Sequence, residues 1–119
     1  MTGGQMILVA GPNRSGTDGN PERIAANVEA MTRVSLLLYR RGHLPVMGEW
    51  FALPLIEQAV AQGDGGDPDA DIFHPVAERI LERCDACLRI GGPSEGADRM
   101  VLAASRLGKT IYTDIEQVP

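Results

Sequence analysis

Two loops of this chain contain residue types that bind small anions or sugars. The more informative one, residues 90–100, runs from a predicted strand end through glycines and a serine into a predicted helix. Such a loop directs backbone N–H groups at an anion, and the helix that follows adds the positive end of its dipole. We predict that Gly92, Ser94 and Gly96 bind a ligand there.

The other loop, residues 11–17 (GPNRSGT), combines one arginine with hydroxyl groups and free backbone N–H groups. It has neither the Gly-Lys-Ser/Thr ending of a P-loop nor the spacing of a dinucleotide fingerprint, so the sequence does not indicate a kinase or a dehydrogenase. Its donors suit a phosphate or sugar hydroxyls, and a plain chain turn is the alternative. The predicted ligand-binding residues are Gly11, Pro12, Asn13, Arg14 and Ser15.

Three further side chains follow predicted strands or precede predicted helices. Glu49 and Trp50 leave the second strand, where a carboxylate could hold ribose hydroxyls and an indole could stack on a base. Trp50 could equally cap the core or a subunit contact. His74 is expected to cap the third helix, and a role as an acid or base is the alternative.

The strands and helices that position these residues are predicted from the spacing of apolar residues, from helix N-caps and from glycines that end helices. The first helix has Asn20 as its N-cap and ends at Gly42, and residues 48–50 are predicted to be a turn. Residues 63–70 (GDGGDPDA) are predicted to be a mobile surface loop. Strands are predicted at residues 6–11, 43–47, 85–91 and 109–113, and the later helices at 52–62, 75–84 and 97–107.

Alternating strands and helices predict a single α/β domain over residues 1–119. We expect a three-layer sandwich whose parallel sheet has four or five strands in the flavodoxin-like order 2-1-3-4(-5), with helices on both faces. In this order the loops after strands one and three flank the topological switch point, where open α/β sheets bind ligands. Both glycine loops lie there.

Charge and composition narrow the classes of partner. The net charge of −5 disfavours binding to DNA or RNA. No apolar run is long enough to cross a membrane and residues 1–5 do not form a secretion signal, so we expect a cytoplasmic protein with no membrane partner. Cys84 and Cys87 are expected to be buried structural thiols, because two cysteines are too few for a thiolate zinc site. We predict no metal and no cofactor.

The order and spacing of three short motifs resemble the nucleoside 2-deoxyribosyltransferase-like superfamily, in particular its small uncharacterised branch. Residues 7–12 (ILVAGP) are similar to its opening strand and Gly-Pro turn, and residues 84–87 (CDAC) are similar to the start of its third strand. Ser94-x-Gly96-Ala97 is similar to its Ser-x-Gly-Thr/Ala loop. The resemblance implies a flavodoxin-like fold and homo-oligomers, a dimer or larger, whose helices pack across the interface.

Active members of that superfamily hydrolyse or exchange the N-glycosidic bond of nucleosides or nucleotides, with a glutamate nucleophile and a positioning aspartate. The matching positions here are Met100 and Ala77, which cannot do this chemistry. The leading hypothesis is therefore a nucleotide- or phosphosugar-binding domain without the carboxylate chemistry of the family. One alternative is a divergent N-glycosidase that uses Glu95, Asp98 or Glu49 as its catalytic carboxylate, and another is a non-catalytic oligomeric module.

Overall fold

The computed structural model describes residues 4–119, which form one four-stranded parallel sheet. The strand order is β2-β1-β3-β4, and in register Ile7 lies opposite Pro45 on one side and Ala86 on the other. This confirms the predicted α/β class and strand order, with four strands rather than five in the described part of the chain. The strands are β1 (Met6–Ala10), β2 (Leu44–Val46), β3 (Ala86–Arg89) and β4 (Thr110–Tyr112).

Helices cover both faces of the sheet, as predicted. Alternate side chains of each strand point to opposite faces, and both faces are buried. Leu8 and Cys87 pack with α3 and α4, whereas Ile7, Val9 and Leu88 pack with α1. The helices are α1 (Pro21–Arg40), α2 (Gly48–Ala61), α3 (His74–Arg83) and α4 (Glu95–Arg106), with a π-helical turn (Asp69–Phe73) before α3 and a 3-10 turn (Ile115–Gln117) near the end.

The first helix begins and ends as its sequence predicts. The Asn20 side chain accepts hydrogen bonds from the backbone N–H groups of Glu22 (2.9 Å) and Arg23 (3.2 Å), and Pro21 is the first helical residue. Such an N-cap contributes about 1 kcal/mol to stability. Gly42, just beyond the helix, has a φ of 92°, which glycine adopts without strain.

Two helices begin earlier than predicted. Residues 48–50 are not a turn but the first turn of α2, which continues through Pro54 although the proline lacks a backbone N–H to donate. Helix α4 begins at Glu95, because Ser94 is its N-cap and the Ser94 hydroxyl accepts from the Ala97 N–H at 3.2 Å. Gly96 therefore belongs to the first turn of α4 rather than to the loop before it.

The π-helical turn before α3 was not predicted, and it begins inside the segment predicted to be a mobile loop. All of residues 63–70 are exposed, and their mobility stays a prediction. The turn runs directly into α3, since the N–H of His74 donates to the Asp69 carbonyl. The start of α3 is thus hydrogen-bonded through backbone groups, and the His74 side chain does not cap it.

Both cysteines are free and buried, at the end of α3 and in β3. Burial is the main reason that the pKa is raised to about 11 for the Cys84 thiol and to about 12 for the Cys87 thiol. Both side chains belong to the core cluster beneath α3 and α4. Separately, none of the helices described in residues 4–119 combines the length and hydropathy needed to cross a bilayer.

Candidate functional site

A cavity of about 370 Å³ lies at the carboxyl ends of β1 and β3. Its walls come from the loop after β1, from the first turns of α2, α3 and α4, and from the π-helical turn. This is the topological switch point of the sheet, where the strand order reverses direction. The two loops predicted to bind a ligand therefore meet at one edge of the sheet, as their order in the sequence indicates.

The loops after β1 and β3 are in direct contact. A Cβ atom on Gly91 would lie 2.6 Å from the Cδ of Pro12, and the φ of Gly91 is 78°. A Cβ on Gly11 would lie 3.1 Å from the Ile90 Cγ1. Both glycines thus allow the two loops to lie closer together than a side chain at either position would permit. Pro12 contacts the loop after β3 and does not line the cavity.

The loop after β1 presents Arg14 on a hydrogen-bonded turn. The Arg14 carbonyl accepts from the Thr17 N–H (3.2 Å) and from the Thr17 hydroxyl (2.5 Å), and Thr17 is buried. The Asn13 carbonyl accepts from the side-chain amide of Asn27 at 2.9 Å. Asn13, Arg14 and Ser15 all line the cavity. Within residues 4–119 the Arg14 guanidinium forms no ion pair, so its charge is available to a ligand.

The start of α4 contributes backbone donors to the opposite wall. The first N–H groups of a helix have no intrahelical acceptor, and Ser94 satisfies the N–H of Ala97. Among residues 4–119 no group accepts from the N–H groups of Glu95 and Gly96, which are left for solvent or a ligand. Ser94, Glu95 and Gly96 all line the cavity.

Arg89 lies outside the cavity lining and stabilises the loop after β3 through hydrogen bonds. Its guanidinium donates to the carbonyls of Ile90 and Gly92, the latter at 2.8 Å, and its Nε donates to the Asp98 carboxylate at 3.2 Å. The carboxylate of Asp98 is therefore engaged outside the cavity, and Gly92 contributes a carbonyl to Arg89 rather than a wall of the site. Both residues support the site without lining it.

Glu49 is the buried carboxyl of the cavity. It lies in the first turn of α2 with 5% of its surface exposed. Burial raises the pKa of the Glu49 carboxyl, and a hydrogen bond with its own backbone N–H opposes this in part. A protonated carboxyl can donate as well as accept a hydrogen bond. The neighbouring Trp50 is 44% exposed and lies outside the lining, so its indole is not placed to stack on a ligand in this cavity.

The residues that match the catalytic positions of the superfamily both face the cavity. Ala77 of α3 and Met100 of α4 line it, with 2% and 4% of their surfaces exposed. A Cβ on Gly48 of α2 would lie 3.3 Å from the Ala77 Cβ, so α2 and α3 approach closely at this point. Neither side chain has an ionisable group, so neither can supply a carboxylate to the cavity.

The structure brings most of the predicted residues together at the cavity. The predicted residues that line it are Gly11, Asn13, Arg14, Ser15, Glu49, Ser94, Glu95 and Gly96. The predicted residues that lie outside the lining are Pro12, Trp50, Gly92 and Asp98.

The lining also includes residues that were not predicted, and those with a charged or aromatic side chain are Asp69, Phe73 and Arg99. Arg99 precedes Met100 in α4, and its Nε lies 3.9 Å from a carboxylate oxygen of Glu78. An earlier predicted start for α4 would have placed Arg99 near the cavity. Asp69 and Phe73 belong to the π-helical turn. A single turn of this kind has no repeating pattern of apolar residues from which the sequence could predict it.

His74 lines the cavity from the first turn of α3. Its Nδ1 is enclosed and has no hydrogen-bond partner within residues 4–119. The Phe73 ring packs edge-on against the imidazole, with ring centres 5.8 Å apart and planes at 84°. A Cβ on Gly96 would lie 3.6 Å from the His74 Cε1, so the imidazole sits beside the start of α4.

No protein-family model matches this chain, and a search of curated proteins finds no match for it. In the part of the chain that the structure describes, no three His, Cys, Asp or Glu side chains are grouped so that they could hold a metal ion. The functional argument therefore depends on the cavity itself.

Proposed function

We propose that this chain binds a small phosphorylated ligand, a phosphosugar or a nucleotide, in the cavity at the switch point. The observation that supports this most is the convergence of Arg14 with the N-termini of α2 and α4 on one cavity. Helix N-termini and guanidinium groups both favour phosphate oxygens, and a parallel sheet binds ligands at this edge.

The charges around the cavity favour an anion despite the negative charge of the whole chain. Two guanidinium groups, Arg14 and Arg99, and two carboxylates, Asp69 and Glu95, line the cavity, and Arg99 also lies 3.9 Å from Glu78. Burial raises the pKa of the Glu49 carboxyl and so disfavours its charged form. The free N–H groups and dipoles of the helix starts then supply the excess of positive potential.

The test is binding of ribose 5-phosphate, a nucleoside monophosphate and inorganic phosphate, measured by calorimetry and thermal shift. A ligand at one hundred times its Kd stabilises the folded state by about 2.7 kcal/mol. We expect Arg14→Gln to weaken binding about tenfold or more and Arg23→Gln, an exposed arginine of α1 outside the cavity, to leave it unchanged. No binding of any of the three at about 10 mM would refute the proposal.

A second candidate is cleavage of an N-glycosidic bond with Glu49 as general acid. Among the three carboxylates predicted for this role, Asp98 is bound to Arg89 and Glu95 is exposed, whereas Glu49 is buried in the cavity with a raised pKa. A raised pKa extends upward the pH range over which the carboxyl holds a proton that it can donate to a leaving group. Chromatography of nucleosides and nucleotides incubated with the protein would show free base, abolished in Glu49→Gln and retained in Glu95→Gln. No release by the wild-type protein would reject this candidate.

We also propose self-association, which the exposed apolar side chains on and between α1 and α2 favour. Leu37, Tyr39, Leu44, Phe51 and Leu55 each expose between 45% and 67% of their surfaces. Large exposed apolar patches are typical of interfaces between proteins. Light scattering that shows only a monomer at about 100 µM would exclude a stable dimer of useful affinity.

A further inference from the structure

His74 lines the cavity, and its placement does not come from a capping role. The backbone N–H of His74 already donates to the Asp69 carbonyl, because the π-helical turn runs into α3. No side chain caps α3. The imidazole instead packs against Phe73 on one side and lies beside Gly96 on the other.

The two ring nitrogens of His74 have different surroundings. Nδ1 is enclosed without a partner in residues 4–119, so a proton on it would be a buried donor with no acceptor. Unsatisfied buried N–H groups are the rarest kind of unpaired polar group in folded proteins. Nε2 is not among the enclosed atoms and likewise makes no hydrogen bond to the described residues. In the neutral ring, a proton on Nε2 instead of Nδ1 avoids this cost.

The start of α4 lies next to this donor. Cε1, which joins the two ring nitrogens, is 3.6 Å from the position of a Cβ on Gly96. The N–H groups of Glu95 and Gly96 are the free donors of the same turn. The imidazole therefore lies within van der Waals range of the first turn of α4, so that one bound oxyanion can accept from α4 and from His74 together.

We propose that His74 donates from Nε2 to an oxygen of a phosphate monoester bound at the start of α4, and so determines where the phosphate of the ligand lies. This inference rests on the proposed binding of a phosphorylated ligand. The sugar then occupies the space toward Ala77 and Met100, which offers apolar contact to its carbon face. Glu49 supplies a buried carboxyl for a hydroxyl group.

The test compares two amides that replace different ring nitrogens. In His74→Gln the amide reaches the position of Nε2, whereas in His74→Asn it reaches only that of Nδ1. Calorimetry with ribose 5-phosphate, inorganic phosphate and unphosphorylated ribose is run on both variants, on His74→Leu and on the wild type. We expect the Kd for both phosphates to rise about tenfold in the Asn and Leu variants and by less than about threefold in the Gln variant. Any response to ribose alone should be unchanged.

Long-range ¹H–¹⁵N NMR of the free protein reads the tautomer independently of binding and should show the proton on Nε2. Failure of the wild type to bind either phosphate would overturn this inference together with the proposed function. Binding that Arg14→Gln weakens but the Asn and Leu variants leave intact would overturn this inference alone. Equal losses in the Gln and Asn variants, or a proton on Nδ1, would also overturn it. Thermal melts of each variant confirm that it is folded before binding is compared.

Discussion

Replacement of Glu49 by glutamine should stabilise the protein at neutral pH and leave it unchanged in acid. The side chain is 5% exposed, and burial raises the pKa of its carboxyl above the ordinary value of 4.5. Between about pH 4.5 and the raised pKa, the folded state binds the proton more tightly than the unfolded state does. The wild type therefore loses stability as the pH rises through this window.

The size of the effect follows from the burial. Each unit by which the pKa is raised lowers stability by about 1.4 kcal/mol above the window. An uncompensated buried polar group costs about 1–3 kcal/mol, and a charged group costs more. We therefore expect Glu49→Gln to gain at least about 1 kcal/mol at about pH 7.5, and nothing at about pH 4 where the carboxyl is protonated in both states. For a domain of this size, 1 kcal/mol raises Tm by about 3–6 °C.

The assay is thermal and urea denaturation of both proteins across this pH range. Glu57→Gln is the matched control, because Glu57 lies on the same helix with its side chain exposed, and it should change stability by less than about 0.5 kcal/mol at any pH. A Glu49→Gln variant that is less stable than the wild type at about pH 7.5 would refute the reasoning. An equal gain in stability at about pH 4 and at about pH 7.5 would refute it as well.

Two further predictions concern the loop contact and the buried thiols. Gly91→Ala should lower the free energy of unfolding by more than Gly108→Ala, as measured in urea. Both glycines have a positive φ (78° and 71°), which costs alanine about 1–2 kcal/mol, but only at Gly91 would the new Cβ approach a neighbouring side chain within 3 Å. Cys84 and Cys87 should resist a thiol reagent at about pH 8 in the native state and react fully in urea, because burial raises their pKa values to about 11 and about 12.

Equal losses in the two glycine variants would contradict the close contact between the loops. Rapid labelling of either cysteine in the folded protein would contradict its burial. Labelling is followed by absorbance, and the unfolded sample gives the full amplitude for two thiols.

The fold was predictable because its signals are local. Asn20 followed by Pro21 predicts a helix start from adjacent residues alone, and its side chain makes the predicted hydrogen bonds. The apolar run of β1, together with the glycines that end strands and helices, then predicts the alternation of strands and helices. Once that alternation is known, handedness and crossover rules leave few possible strand orders. The same rules place the two loops side by side.

The details of the site depend on contacts that are remote in sequence. Asp98 was a candidate carboxylate because it lies two residues before Met100, and no local signal indicates that Arg89 would bind it from the preceding strand. Trp50 was a candidate to stack on a ligand, with a cap of the core or of a subunit contact as the alternative, because it was expected to follow the second strand in a turn. With α2 starting at Gly48, the indole instead turns away from the cavity. An error of one helical turn thus redirects a side chain entirely.

The contact between Pro12 and Gly91 also has a consequence for how fast a ligand exchanges. Because the two loops pack against each other at a positive-φ glycine and a rigid ring, an outward movement of either loop gives up this contact. Arg89 further ties the second loop to its own strand. Widening on this side therefore loses packing and hydrogen bonds together. The dissociation rate of a bound molecule should then respond to substitutions in the π-helical turn, at residues 69–73, more than to substitutions in either loop.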